Sequence, residues 1–224
     1  MTESDAVPGA ETRKVRRRPG RPRSEEATVA VLGAAYRLGA SLGLKGATLQ
    51  AISDDTGVSK MTIYKWWGNR LQLLIDAYLR EASAALPLSA TDPPVLAILA
   101  HATRYVEALQ GDLGRFQLAV LAECLAETGG SALFVARYLD VRRQLGIGVV
   151  QRGQADGSIS AMRPAEDLYD QIYGTIFYRF QFGLPGLDRA FVHGLVATTL
   201  QTKMADGLIS VRADTPVFWP HGST

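Results

Sequence analysis

The sequence predicts an all-α fold. Apolar residues recur at helical spacing in one segment after another from residue 24 to about residue 207. No segment alternates convincingly at the period of two that a strand needs. The interruptions carry the glycines, prolines and small polar residues that start and stop helices.

Taken in chain order, the elements justify themselves locally. Ser24 is a candidate N-cap, and Glu25 and Glu26 behind it suit the positive end of a helix dipole. Val29, Leu32, Ala35, Tyr36 and Gly39 mark that helix, which Gly43 and Gly46 end. Thr48 caps a second helix, LQAISDDT, with Leu49 and Ile52 on one face. Gly57 supplies the positive φ of a tight turn, and Val58 plugs that turn. Ser59 caps a third helix, KMTIYKWW, which stops at Gly68 or Asn69. An amphipathic fourth helix, RLQLLIDAYLREASAAL, runs to Pro87. Pro93-Pro94 opens VLAILAHATRYVEAL, then comes GDLGRFQLAVLAECLAE. One long helix, SALFVARYLDVRRQLGIGVVQRGQAD, ends at Gly157. Pro164 opens AEDLYDQIYGTIFYRFQF, Gly183 to Gly186 break it, and LDRAFVHGLVATTLQTKMADG is last. About nine helices result, and the tail from Ser210 reads as irregular.

Two short helices joined by a glycine turn within about twenty residues make a helix-turn-helix. In the third helix, at 100° per residue, Ile63 and Trp67 point one way, toward a core, while Met61 and Lys65 point the other. Lys60 and Tyr64 occupy one flank, Thr62 and Trp66 the other. The outward side holds two lysines and no acid, which suits a major groove: lysine meets phosphate or guanine, and the Thr62 and Met61 methyls suit a thymine methyl. Tyr64 and Trp66 read equally well as packing residues.

Charge points the same way. Residues 13–23 hold seven basic residues and no acid, whereas residues 81–224 hold eleven basic and fourteen acidic ones. The net charge of +2 hides this asymmetry. Proline and glycine hold Gly20-Arg21-Pro22-Arg23 extended with its arginines projecting, a shape that suits a narrow A·T-rich minor groove. Arg17, Arg18, Arg21 and Arg23 are the candidate contacts of this arm. A tail that only keeps the chain solvated is the equal alternative.

Residues 48–74, TLQAISDDTGVSKMTIYKWWGNRLQLL, resemble the DNA-binding signature of the TetR (tetracycline-repressor-like) family. Thr48, Ile52, Gly57, Val58, Ser59, Tyr64, Trp67, Arg70 and Leu71 stand at the matching positions. The resemblance implies a flexible basic arm (1–23), a helix-turn-helix DNA-binding domain (24–69) and a helical regulatory and dimerisation domain (70–209). Residues 70–86 form the linking helix of that last domain, and an irregular tail (210–224) follows it. It implies operator contacts by Thr48, Ser59, Lys60, Met61, Thr62, Tyr64, Lys65, Trp66 and Arg70, the last to a phosphate. It also implies a cytoplasmic homodimer that binds palindromic half-sites and is released as a repressor by a small-molecule effector. The effector would sit among Arg104, Phe116, Glu123, Tyr138, Tyr173 and Phe177, each of which also reads as a packing residue or surface charge.

Leu168, Ile172, Ile176 and Phe180 form an apolar stripe on the penultimate helix, extended by Tyr173 and Phe177. Leu195, Val196 and Thr199 mark the last helix, and Gly174 would allow close approach. The resemblance makes this pair of helices the dimer interface; an internal core is the alternative.

Other classes find little footing. His101, His193 and His221 fit no metal-binding spacing, and no phosphate loop, GxSxG or dinucleotide fingerprint occurs, so no metal, cofactor or enzymatic activity is expected. Gly146 and Gly148 lie in a helical run with no strand before them. The lone Cys124 sits in an apolar helix and reads as a small hydrophobe. No apolar run is long enough to span a membrane, and the N-terminus lacks the apolar run of a secretory signal. The remaining alternative is a DNA-binding architectural protein without an effector, which a solid C-terminal core would favour over a closed apolar cavity.

Overall fold

The computed structural model describes residues 24–201, and every regular element among them is helical. They are α1 (Glu25–Leu42), α2 (Leu49–Thr56), α3 (Lys60–Trp67), α4 (Arg70–Ala85), α5 (Pro94–Leu109), α6 (Asp112–Ala126), α7 (Gly130–Phe134), α8 (Asp140–Asp156), α9 (Ala165–Gln181) and α10 (Arg189–Leu200). A single π-helical turn, Val135–Leu139, joins α7 to α8. These three form one continuous helical path where the sequence predicts one unbroken α-helix. Wide turns of this kind gather at functional sites and leave no signature in apolar periodicity.

The caps explain where the helices begin. Ser24 Oγ accepts from Ala27 N at 3.1 Å, Thr48 Oγ1 from Ala51 N at 3.0 Å and Ser59 Oγ from Thr62 N at 3.2 Å. Gly68, at φ 75°, ends α3, which frees Asn69 to cap α4 through its side chain. Gly57, at φ 69°, makes the left-handed turn between α2 and α3 and donates to Ser53 O at 2.9 Å.

Helices α1 to α3 form a small bundle against the start of α4, with Ile52 and Ile63 wholly buried at its centre. Burial of each contributes about 1.5–3 kcal/mol. Helix α4 continues into the larger group, where Tyr78 is also wholly buried. Helix α6 packs on both α1 and α4, so it touches the small bundle and the larger group alike. Helices α8 and α9 pack together, and α5 lies against α8 and α10.

Part of the α9 stripe follows the alternative of an internal core. Leu168, Ile172 and Ile176 are buried within this chain, as are Val196 and Thr199 of α10. Their periodicity reports an internal core. The outward apolar residues at this end are Tyr178, Phe182 and Leu184. Among the described residues, no helix is long and apolar enough to cross a membrane.

Candidate DNA-reading helix and interior cavity

Two places combine exposure or space with polar chemistry. The first is α3. Buried Ile63 and Trp67 fix its inner face, and Trp67 Nε1 donates to Asp76 Oδ2 of α4 at 3.0 Å. Lys60, Met61, Tyr64 and Lys65 are exposed, Met61 at 85% and Tyr64 at 61%. No ion pair among the described residues takes up Lys60 or Lys65. The remaining predicted contacts are more committed. Thr62 is half-buried and its hydroxyl lies 2.9 Å from that of Ser59. Trp66 is half-buried against the core and meets Trp67 edge-on at 5.7 Å. Thr48 and Ser59 spend their oxygens as helix caps, and both residues are exposed.

Arg70 has a different task from the phosphate contact the sequence suggested. Its Nε donates to Ala47 O at 2.9 Å, its Nη2 to Leu44 O and its Nη1 to Glu123 of α6 at 2.5 Å. The guanidinium thus clamps the loop before α2 to α6. Glu123 belongs to this clamp and not to a ligand pocket. The arm arginines Arg17, Arg18, Arg21 and Arg23 lie outside the described residues.

The second place is a partly open cavity of about 460 Å³, lined by α5, α6, α7, the π turn, α8 and α9. This volume is ordinary for a small-molecule site. Of the six predicted lining residues, Tyr138, Tyr173 and Phe177 line it. Phe116 is wholly buried elsewhere, with Tyr36 edge-on at 5.2 Å, and Arg104 is exposed on α5. Phe116 and Arg104 are therefore corrected to packing and surface roles: an apolar or charged helical position does not reveal which side of its helix a cavity occupies.

Polar groups converge on the cavity. Tyr78 Oη donates to Gln117 Oε1 at 2.7 Å and lies 3.2 Å from Tyr138 Oη; Gln117 Nε2 donates to Tyr105 Oη at 3.0 Å. Arg142 Nη2 lies 2.8 Å from His101 Nε2 and donates also to Leu86 O at 2.7 Å. A guanidinium only donates, so His101 Nε2 accepts and its proton sits on Nδ1, which donates to Tyr173 Oη at 2.6 Å. Burial, then the charges of Arg142 and Arg104, hold the His101 imidazole down to about 4, so the ring is neutral at physiological pH. Burial likewise raises Tyr78, Tyr105, Tyr138, Tyr169 and Tyr173, which stay protonated donors.

Sequence reasoning missed His101, Tyr105, Gln117, Arg142 and Tyr169. A signal existed for two of them: His101 and Tyr105 stand four apart on the stripe of α5 that also carries Ala97, Ile98 and Ala102. Gly146 also gains a purpose, since a β-carbon there would overlap the Tyr169 ring. Cys124 is buried, and burial together with Glu123 and Glu127 pushes its thiol up to about 11.

Comparison with known proteins agrees with this geometry. Residues 96–199 match the family described as tetracyclin repressor-like, C-terminal domain. The chain is 33% identical over 182 residues to the uncharacterized HTH-type transcriptional regulator YdeS of Bacillus subtilis (strain 168), covering 79% of this chain and 89% of that one. The crystal structure of the TetR family transcription regulator SCO0332 superposes with a TM-score of 0.71 at 25% identity, covering 79% of this chain and 98% of that one. The RolR structure with the ligand resorcinol shares the fold at a TM-score of 0.56 and 16% identity, covering 79% of this chain and 87% of that one. With a helix-turn-helix at one end, a helical C-terminal domain behind it and these relatives, the chain belongs to the TetR family of transcriptional regulators.

Proposed function

We propose that this regulator binds a palindromic operator as a cytoplasmic homodimer and that a small molecule in the interior cavity releases it. The carrying observation is that one chain holds both an outward α3 and a largely apolar cavity, with the wall of the cavity bonded to the helix that supports α3. In the π turn, Tyr138 lines the cavity while its neighbour Arg137 pairs with Asp76 Oδ1 at 2.5 Å. The other oxygen of Asp76 holds Trp67 at the end of α3. Arg70 and Glu123 make a second tie, from α6 to the loop before α2. A ligand that favours one arrangement of the π turn or α6 therefore biases the placement of α3.

DNA reading falls to Lys60, Met61, Tyr64 and Lys65, with Thr62, Trp66, Thr48 and Ser59 at the edges, and to the arm arginines. Two such helices must meet successive major grooves about 34 Å apart, which requires a dimer. The exposed Tyr178, Phe182 and Leu184 support the end of α9 as part of that contact. RolR, which shares this fold, was solved holding resorcinol. An architectural role without an effector would suit a solid core, and the cavity weighs against it.

The test starts with selection of bound duplexes from a random library. Enrichment of inverted repeats, bound by the wild type and not by a Tyr64→Ala, Lys65→Ala variant that remains folded, is the expected result. Enrichment of no sequence over background would overturn the specific-regulator reading.

A further inference from the structure

Arg142 is unusual among the cations of the cavity. Its neighbour Arg143 is fully engaged, with Nε and Nη2 donating to the two oxygens of Asp170 at 2.7 and 2.6 Å. Arg142 is half-buried, lines the cavity and has no carboxylate partner among the described residues. Only its Nη2 is hydrogen-bonded there, to a carbonyl and to the lone pair of His101. Nε and Nη1 make no hydrogen bond among the described residues. The planar fork of a guanidinium matches a carboxylate, which it can hold through two parallel hydrogen bonds.

The surroundings add to this. The Tyr169 hydroxyl has no hydrogen-bond partner among the described residues, and Tyr173 accepts from His101 while keeping its own proton to donate. Asp170, the only acidic residue that lines the cavity among the described residues, is already spent on Arg143. The rest of the wall is largely apolar, with Phe134 and Phe177 among its members. One unpaired cation beside neutral donors and apolar walls balances one negative charge, and it repels a cationic ligand.

We propose that the cavity takes a small monocarboxylate with an apolar body, its carboxylate on Arg142 and the Tyr169 and Tyr173 hydroxyls, its body against the aromatic wall. This rests on the effector reading above and names its ligand class. A phosphate monoester, with closer to two charges, would leave one uncompensated here.

The full-length protein is titrated calorimetrically with benzoate, phenylacetate and octanoate, and with the corresponding neutral amides. The expected result is that at least one carboxylate binds and its amide binds at least tenfold more weakly. Arg142→Gln should lose that discrimination, Arg142→Lys should retain part of it, and Arg143→Gln should retain it; circular dichroism checks that each variant is folded. Binding of a carboxylate unaffected by Arg142→Gln, equal binding of acids and amides, or no binding by any of the three acids overturns the assignment. Benzoate and octanoate separate aromatic from alkyl bodies. The selected operator duplex gives an independent readout: a carboxylate that binds through Arg142 without releasing DNA sustains the ligand class and overturns the effector role, whereas release by the amides alone overturns the class and sustains the role.

Discussion

Tyr64 and Lys65 are exposed on α3, and neither side chain belongs to the packed core. Lys65→Ala should therefore weaken operator binding by roughly tenfold or more, the loss of one charged hydrogen bond of about 1.5–3 kcal/mol. Tyr64→Phe should cost only a few-fold, for a neutral hydrogen bond of about 1 kcal/mol. Both variants should keep the wild-type unfolding midpoint; fluorescence anisotropy on the selected operator measures the first effect and thermal melting the second. His101 gives a residue-scale prediction of another kind. Its folded value of about 4 lies below the ordinary 6.5, so the unfolded chain takes up the proton first. The stability that neutral His101 contributes is complete above pH 6.5 and is lost as pH falls from about 6.5 to about 4, a total of about 3 kcal/mol. Denaturant titrations across that window should show the loss, and His101→Gln should flatten it. An unchanged slope in that variant would assign the acid sensitivity to other groups.

At the scale of elements, the joint between α1 and α6 rests on Gly39. A β-carbon there would overlap the Phe116 ring, which is wholly buried. Gly39→Ala should therefore destabilise the protein by up to about 2 kcal/mol, because an overpacking cost of about 1–3 kcal/mol exceeds the helix-propensity gain of about 1 kcal/mol. A raised midpoint in urea would show that Phe116 gives way freely. The Arg70 clamp is the other joint. Arg70→Met leaves Glu123 without its ion pair and two loop carbonyls without their donor, so a loss of about 1–3 kcal/mol is expected. A variant that lost operator affinity with no loss of stability would instead return Arg70 to the DNA. The helices themselves were legible in the sequence because caps are local: Ser24, Thr48 and Ser59 each bond to a backbone three residues on. The π turn was not legible, since Val135–Leu139 has the composition of the α-helix on either side of it.

The whole chain places its positive charge at residues 13–23, ahead of α1. If that arm lies along DNA, each phosphate it neutralises adds about 0.9 to the salt slope of binding. Deleting residues 1–23 should lower operator affinity at 100 mM salt and flatten the slope of log K against log salt. An unaltered slope would show that the arm does not touch DNA.

Sequence by itself determined the fold class, the helix-turn-helix and the outward face of α3. These depend on period, capping and turn chemistry, all set within a few residues of one another. Only the tertiary structure decided which polar residues face a common cavity. His101, Tyr105, Gln117, Arg142, Tyr169 and Tyr173 come from four helices and stand up to 72 residues apart where they bond, as His101 and Tyr173 do. It also decided that Arg70 clamps rather than reaches outward, that Phe116 fills a joint, and that the stripe on α9 turns inward. A helical period fixes which residues share a face; what that face meets depends on how neighbouring helices pack.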